Sequence, residues 1–356
     1  DSSTSRGLGD VYKRQFLTSG LFLGWALGAN DAGNVFGTAV GTKMVSWRTA
    51  AIICSIFVVL GAIVSGAGTS QTLGKLGAIS ALPGAFMTAL SAAFAVYAMT
   101  KFGVPVSTSQ AIVGAIIGWN FFSNSPTDMS TLTKVLSTWI ICPLLSGVIA
   151  IFLYQIMKFS AKRVRIHMIR ADAYKRVALI VAGALGAYSL GANNIANVVG
   201  VFIPAQPLPP FQVGGIILSS TQQLFVLGGL SIALGVFTYS KRVMMTLGND
   251  LGRLSATSAL IAVISHSVVL FMFASVGLET WLAGLGLPTI PLVPVSSSQA
   301  VVGAIVGISI LQGAAAIRWS VLAKIIFGWI ITPVAACILC FIGLFFLQNV
   351  FGMVVV

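Results

Sequence analysis

The chain has 356 residues, of which 57% are hydrophobic and only 8% charged, with a mean hydropathy of +1.00 and a net charge of +13. A soluble domain carries about 25% charged residues, so a soluble enzyme or binding module is excluded. The basic surplus implies no nucleic-acid partner, because no soluble domain exists to present a basic face, and basic residues of membrane proteins gather in cytoplasmic loops.

Residues 1–15, DSSTSRGLGDVYKRQ, are polar, lack an initiator Met and contain no apolar signal-peptide core. They read as a cloning or assembly scar, or a disordered tail. Ten apolar segments follow, at about 16–40, 47–68, 83–101, 105–122 and 131–157, then 177–200, 211–238, 255–277, 294–312 and 319–347. Most approach the roughly 20 residues a spanning helix needs. None shows the short period-two runs of a barrel. The expectation is an all-α polytopic membrane protein: repeat 1 over 16–157, a linker over 158–176 and repeat 2 over 177–356.

The linker is the most basic stretch, with Lys158, Lys162, Arg163, Arg165, Arg170, Lys175 and Arg176 against Asp172, which places it in the cytoplasm. Five crossings per half is odd, so both termini are expected outside. The remaining charges agree: Lys43, Arg48, Lys101, Lys241, Arg242, Arg253, Arg318 and Lys324 fall inside against Asp250, whereas Lys75 and Lys134 fall outside against Asp128 and Glu279.

The halves match in order. Gly28-Ala29-Asn30-Asp31-Ala32-Gly33-Asn34 answers Gly191-Ala192-Asn193-Asn194-Ile195-Ala196-Asn197. Thr72-Leu73-Gly74 answers Thr246-Leu247-Gly248. Val104-Pro105-Val106-Ser107-Thr108-Ser109-Gln110 answers Val293-Pro294-Val295-Ser296-Ser297-Ser298-Gln299. Trp139-Ile140-Ile141-Cys142-Pro143 answers Trp329-Ile330-Ile331-Thr332-Pro333. A duplicated half with an odd number of crossings gives inverted repeats, the architecture of secondary transporters with a site at the midplane.

Both Ser-rich segments follow a Pro, which disfavours helix at the preceding residue. Ser107 and Ser296 are then placed to cap a helix, and the N-terminus of a capped helix attracts anions. Inversion lets the two N-termini face each other, offering Ser107, Thr108, Ser109, Gln110, Ser296, Ser297, Ser298 and Gln299 to a tetrahedral oxyanion. The plainer alternative is an ordinary cap with Ser and Thr packing between helices. Asn30, Asp31, Asn34, Asn193, Asn194 and Asn197 offer hard oxygens, and the neighbouring glycines let the backbone unwind and expose carbonyls, as in Na⁺ sites of transporters. Interhelical hydrogen bonding is the alternative there.

Asp31 is the one carboxylate well inside an apolar run, at a cost of roughly 2.5–3.5 kcal/mol at a helix centre. No Lys or Arg sits at the centre of a crossing, so a bound anion near Asp31 needs a co-bound cation, and cation-coupled transport follows. His266 is expected inside the membrane, as a proton relay or a hydrogen-bonded packing residue. Cys54, Cys142, Cys337 and Cys340 read as buried thiols, and no cofactor is expected. An aspartyl enzyme would need a second carboxylate beside Asp31.

On GANDAGN, GANNIAN and the two segments PVSTSQAIVGAI (105–116) and PVSSSQAVVGAI (294–305), the chain resembles the inorganic phosphate transporters, the PiT family, over nearly everything from residue 16 onward. The resemblance implies two inverted repeats and symport of phosphate with Na⁺ or H⁺, and the cell membrane is the expected location. As a buried acceptor able to take a hydrogen bond from the phosphate proton, Asp31 is expected among the phosphate ligands too. Two departures stand out. Asn194 occupies the place of a second Asp in many members, and Gln110 and Gln299 replace His. Gln cannot titrate, which favours Na⁺ over H⁺. The family also includes sulfate permeases, so an H⁺-coupled phosphate or sulfate permease is the alternative. A homo-oligomer is compatible with this reading.

Overall fold

The computed structural model describes residues 14–101, 106–163, 167–213, 216–250, 254–313 and 317–356, with the side chains of 161–162, 168–169, 213, 216 and 246–250 left aside. Residues 1–13, Val104-Pro105, Arg165 and Arg253 therefore lie outside the described residues, as do the side chains of Thr246-Leu247-Gly248, Asp250 and Lys162.

The first half contains α1 (Leu17–Gly41), α2 (Trp47–Ser65), α3 (Ala67–Gly77), α4 (Leu82–Lys101), α5 (Thr108–Ser123) and α6 (Met129–Arg163). The second contains α7 (Met168–Val199), α8 (Ser220–Asp250), α9 (Ala256–Met272), α10 (Val276–Gly284), α11 (Ser297–Gln312) and α12 (Trp319–Asn349). Every expected apolar segment contains a helix, and the chain is an all-α multi-pass membrane protein.

Among the described residues six helices are long and apolar enough to span, and the pair α9–α10, bent by 67°, makes a seventh. α1 is long enough, but its Gly, Asn, Asp and Thr residues lower its hydropathy. α5 and α11 have 16 residues each, about 24 Å at 1.5 Å per residue, short of the roughly 30 Å hydrocarbon core. The stretch expected as one helix from 211 begins instead as an antiparallel pair of strands, Phe211–Val213 with Ile216–Leu218, and the helix starts only at Ser220. Pro204, Pro207, Pro209 and Pro210 just upstream cannot supply helical N–H groups. α3 and α10 were not legible as separate elements.

The two halves pack in inverted fashion. α1 and its counterpart α7 run antiparallel, because Gly20 near the start of α1 meets Phe202 and Val198 while Gly183 meets Phe36. α2 and α8 do the same: Trp47 Nε1 donates to Ser240 Oγ at 3.4 Å, and Ser55 Oγ donates to the Ala233 carbonyl at 3.5 Å. The repeats also exchange partners. A Cβ at Gly114 of α5 would lie 2.1 Å from the Pro333 carbonyl oxygen of α12, and one at Gly303 of α11 would lie 2.1 Å from the Pro143 carbonyl oxygen of α6. Each short helix thus lies flush against the proline of the other repeat's long helix, where only glycine fits. α6 and α12 turn Ile140, Leu144, Phe152, Phe327, Ile330 and Val334 outward, the pattern of a lipid-facing surface.

GANDAGN and GANNIAN are uninterrupted helix, so the expected unwinding does not occur. Their glycines serve close approach instead. A Cβ at Gly28 would lie 1.9 Å from the Ile232 carbonyl oxygen, and one at Gly191 would lie 2.0 Å from that of Val58.

Candidate functional site

The local chemistry at the two Ser-rich turns is as the sequence dictates. Ser107 (φ −101°, ψ 112°) is extended and its hydroxyl accepts the Gln110 N–H at 3.2 Å. Ser296 (φ −82°, ψ 112°) accepts the Gln299 N–H at 3.2 Å. Each cap contributes about 1 kcal/mol to its helix. Because the caps satisfy only part of each first turn, both helices retain a positive N-terminus.

These two N-termini meet. Ser109 Oγ at the start of α5 lies 3.0 Å from the Val295 carbonyl oxygen, just before α11. The Asn-rich turns of α1 and α7 flank the junction and cross between repeats. Asn34 Nδ2 of α1 donates to Ser297 Oγ at 3.1 Å, and Asn197 Nδ2 of α7 donates to Ser109 Oγ at 2.9 Å. Within each turn the i, i+3 pair also closes: Asn34 Nδ2 donates to Asp31 Oδ1 at 3.4 Å and Asn197 Nδ2 to Asn194 Oδ1 at 2.9 Å. Ser109 Oγ reaches Asn194 Oδ1 at 3.3 Å. Ser296 and Ser298 share a hydrogen bond at 3.1 Å.

All fourteen residues singled out at these two motif pairs are buried. Their roles in the geometry differ. Asn193 is taken up by the backbone before α11: its Oδ1 accepts the Val295 N–H at 2.8 Å and its Nδ2 donates to the Val293 carbonyl at 3.2 Å. Asn30 donates through Nδ2 to Thr100 Oγ1 of α4 at 2.7 Å. Thr108 Oγ1 faces the Asp31 carboxylate without closing a hydrogen bond.

The acceptors left over define what the site lacks. Asn30 Oδ1, Asn34 Oδ1, Asn197 Oδ1, Gln110 Oε1 and Gln299 Oε1 are buried with no donor. A buried polar atom without a partner costs about 1–3 kcal/mol, so a cluster of them is a place for a ligand that is positive or carries a proton. Asp31 is the only buried acid among the described residues, and no Lys or Arg is buried there. Among the described residues no three His, Cys, Asp or Glu side chains converge. Amide and hydroxyl oxygens with one carboxylate suit a hard monovalent cation, not a thiolate- or imidazole-loving metal.

Two residues that bond to the junction are not legible in the sequence. His266 of α9 places Nε2 2.9 Å from Ser297 Oγ, although nothing near it in the sequence names that partner. Thr100 carried no signal at all, being one of many hydroxyls on an apolar helix.

Comparison with known proteins is consistent from end to end. The profile of the phosphate transporter family matches residues 27–340. A protein of Methanocaldococcus jannaschii named "Putative phosphate permease MJ0630" is 29% identical over 321 residues, covering 90% of this chain and 93% of its own. The sulfate permease CysP of Bacillus subtilis is 25% identical over 322 residues, covering 88% and 82%. The solved structure of a sodium-dependent phosphate transporter superposes with a TM-score of 0.74 at 20% identity, over 94% of this chain and 98% of that one. With the inverted repeats and the opposed Ser-rich helices in place, this chain belongs to the phosphate transporter family.

Proposed function

We propose that the chain is a secondary active transporter that imports inorganic phosphate by symport with Na⁺, alternating access around the junction of α5 and α11. The observation that carries this is the meeting of two capped helix N-termini beside the one carboxyl group buried among the described residues, with Ser109 Oγ 3.0 Å from the Val295 carbonyl. The helix ends and the hydroxyls of Ser107, Thr108, Ser296, Ser297 and Ser298 supply donors to a tetrahedral oxyanion, while Ser109, whose hydroxyl faces the Val295 carbonyl, joins the two helix ends. Gln110, Gln299 and Asp31 complete its surroundings. Asn30, Asp31, Asn34, Asn194 and Asn197 supply oxygens for Na⁺, while Asn193 holds the backbone before α11 in place. The cation offsets the repulsion between Asp31 and the anion, so neither ion binds well alone. That mutual dependence is the physical basis of symport.

The substrate assignment rests on protons. At neutral pH phosphate carries at least one, and an O–H of phosphate can donate to Gln110 Oε1 or Gln299 Oε1, which have no donor. Sulfate has no proton to give and would leave them unpaired. The second reading, sulfate or H⁺-coupled transport, is favoured by the likeness to a sulfate permease. Counterflow of labelled phosphate in proteoliposomes, with Na⁺ replaced by K⁺ at fixed pH, separates these. We expect uptake that requires Na⁺, is competed strongly by arsenate and weakly by sulfate. Sulfate competing as well as arsenate overturns the phosphate reading, and uptake indifferent to Na⁺ overturns the coupling.

The orientation has structural support. Lys43, Trp47 and Arg176 line one cavity at the end of α1, and Lys241 lies over the Trp47 ring at 5.7 Å. Three basic segments read as cytoplasmic therefore share one end of the molecule, and on this reading both termini face outside.

A further inference from the structure

His266 is fully buried on α9, one of only two histidines in the chain, and its one hydrogen-bond partner is a serine of the site. Ser297 Oγ has two neighbours. Asn34 Nδ2 stands 3.1 Å away and can only donate; His266 Nε2 stands 2.9 Å away and can donate or accept. The choice decides what the serine offers to an anion. If Nε2 accepts, the Ser297 hydrogen is consumed by the imidazole and Nδ1–H is left as a buried donor with no acceptor. If Nε2–H donates, both lone pairs of Ser297 Oγ are filled and Nδ1 is left as a buried acceptor with no donor. Nδ1 has no partner in either case. In protein backbones orphaned buried N–H groups are rarer than under-satisfied acceptors; carried over to the imidazole, that preference selects the second arrangement.

We propose that His266 is a positioning residue for the transported oxyanion: by donating from Nε2 it fills Ser297 Oγ together with Asn34, and so forces the Ser297 hydroxyl to point its hydrogen at the anion. Ser109 shows the contrast. It accepts from Asn197 at 2.9 Å, but Asn194 Oδ1 and the Val295 carbonyl lie within 3.3 and 3.0 Å of its oxygen and take its hydrogen. The site is therefore asymmetric: the matching asparagines Asn34 and Asn197 reach hydroxyls at different places in the two motifs, Ser297 (the counterpart of Thr108) and Ser109 (the counterpart of Ser298). Ser109 holds the junction of the half-helices together, and Ser297 is a donor preset for substrate. A donor held in place before the anion arrives costs no reorientation on binding.

This inference rests on the oxyanion-transport reading above. The test uses the full-length protein in proteoliposomes and reads the KM for phosphate and the Na⁺ concentration for half-maximal uptake separately. His266→Phe removes the donor while keeping a flat ring, His266→Ala removes both, and His266→Gln returns an N–H near the Nε2 position. We expect His266→Phe and His266→Ala to raise the phosphate KM about tenfold, since a hydrogen bond to a charged group is lost. The half-maximal Na⁺ concentration should stay within about twofold, and His266→Gln should restore most of the phosphate affinity. In a Ser297→Ala background, His266→Phe should add nothing, because the two act through one hydroxyl. A phosphate KM unchanged in His266→Phe and His266→Ala overturns the proposal. So does an equal loss in the Ser297→Ala background, or a His266→Gln protein no better than His266→Phe. If His266→Phe does not fold, His266→Ala and His266→Gln carry the same comparison. A wild-type protein that carries sulfate and not phosphate refutes the substrate assignment alone, and the variants are then read on the sulfate KM. A wild-type protein that carries neither refutes both.

Discussion

Gly28→Ala is the sharpest probe of the seam between α1 and α8. The new Cβ would stand 1.9 Å from the Ile232 carbonyl oxygen, where non-bonded atoms prefer about 3.5 Å, so the helices must part by roughly 1.5 Å. The obstacle is backbone on both sides and cannot swing away. Nor can the strain be passed along the seam: a turn further on, Gly235 already lies with its Cβ direction 2.0 Å from the Trp25 carbonyl oxygen, and Gly24 faces Ser231. Overpacking of this kind costs about 1–3 kcal/mol, a fall in melting temperature of about 1–4 °C for a chain of this size. The same displacement reaches the site, because Asp31 and Asn34 ride on α1 within two turns of Gly28. The Asn34–Ser297 bond, 3.1 Å long, has little room before it opens. We therefore expect Gly28→Ala to lower the melting temperature of the detergent-purified protein, followed by tryptophan fluorescence, and to reduce Na⁺-dependent phosphate uptake. Gly284→Ala, where a Cβ meets nothing within 4 Å, should do neither. A Gly28→Ala protein that melts within about 1 °C of wild type would show that the seam is looser than its carbonyl contacts imply.

Asp31→Asn keeps size and an oxygen but removes the only buried carboxyl group among the described residues; Na⁺-driven uptake should be lost while the melting temperature holds, and normal Na⁺-dependent uptake would remove Asp31 from the mechanism. For orientation, Arg176→Cys should resist an impermeant thiol reagent in intact cells and react after permeabilisation; ready labelling in intact cells would invert the assignment of inside and outside.

The parts of the fold legible in sequence were those written in local code. Length and apolarity located all ten segments, and the Pro-Val-Ser turns announced their caps, since a cap is a bond across three residues. What could not be read depends on distant partners. The glycines of GANDAGN read as unwinding because unwinding is what glycine does for its own backbone; that they admit the Ile232 carbonyl needs α8, some 200 residues away. The bend between α9 and α10 and the strands at 211–218 escaped notice because apolar composition hides a change of direction. At the site, residue types were legible and their allocation was not. Asn193 and Asn34 look alike in sequence, yet one is spent on the backbone at Val293 and Val295, and the other keeps a bare oxygen.

The exchange of partners between repeats has a consequence for how such a protein can arise and be divided. Asn34 bonds to Ser297 and Asn197 to Ser109, so neither half contains a site of its own; each holds half of two. A lone ancestral half could have worked only as a pair of identical chains inserted in opposite directions, both carrying the same residues. Joining them in one polypeptide freed the two copies to differ. This chain uses that freedom at its centre, where one copy has the carboxyl group of Asp31 and the other the amide of Asn194.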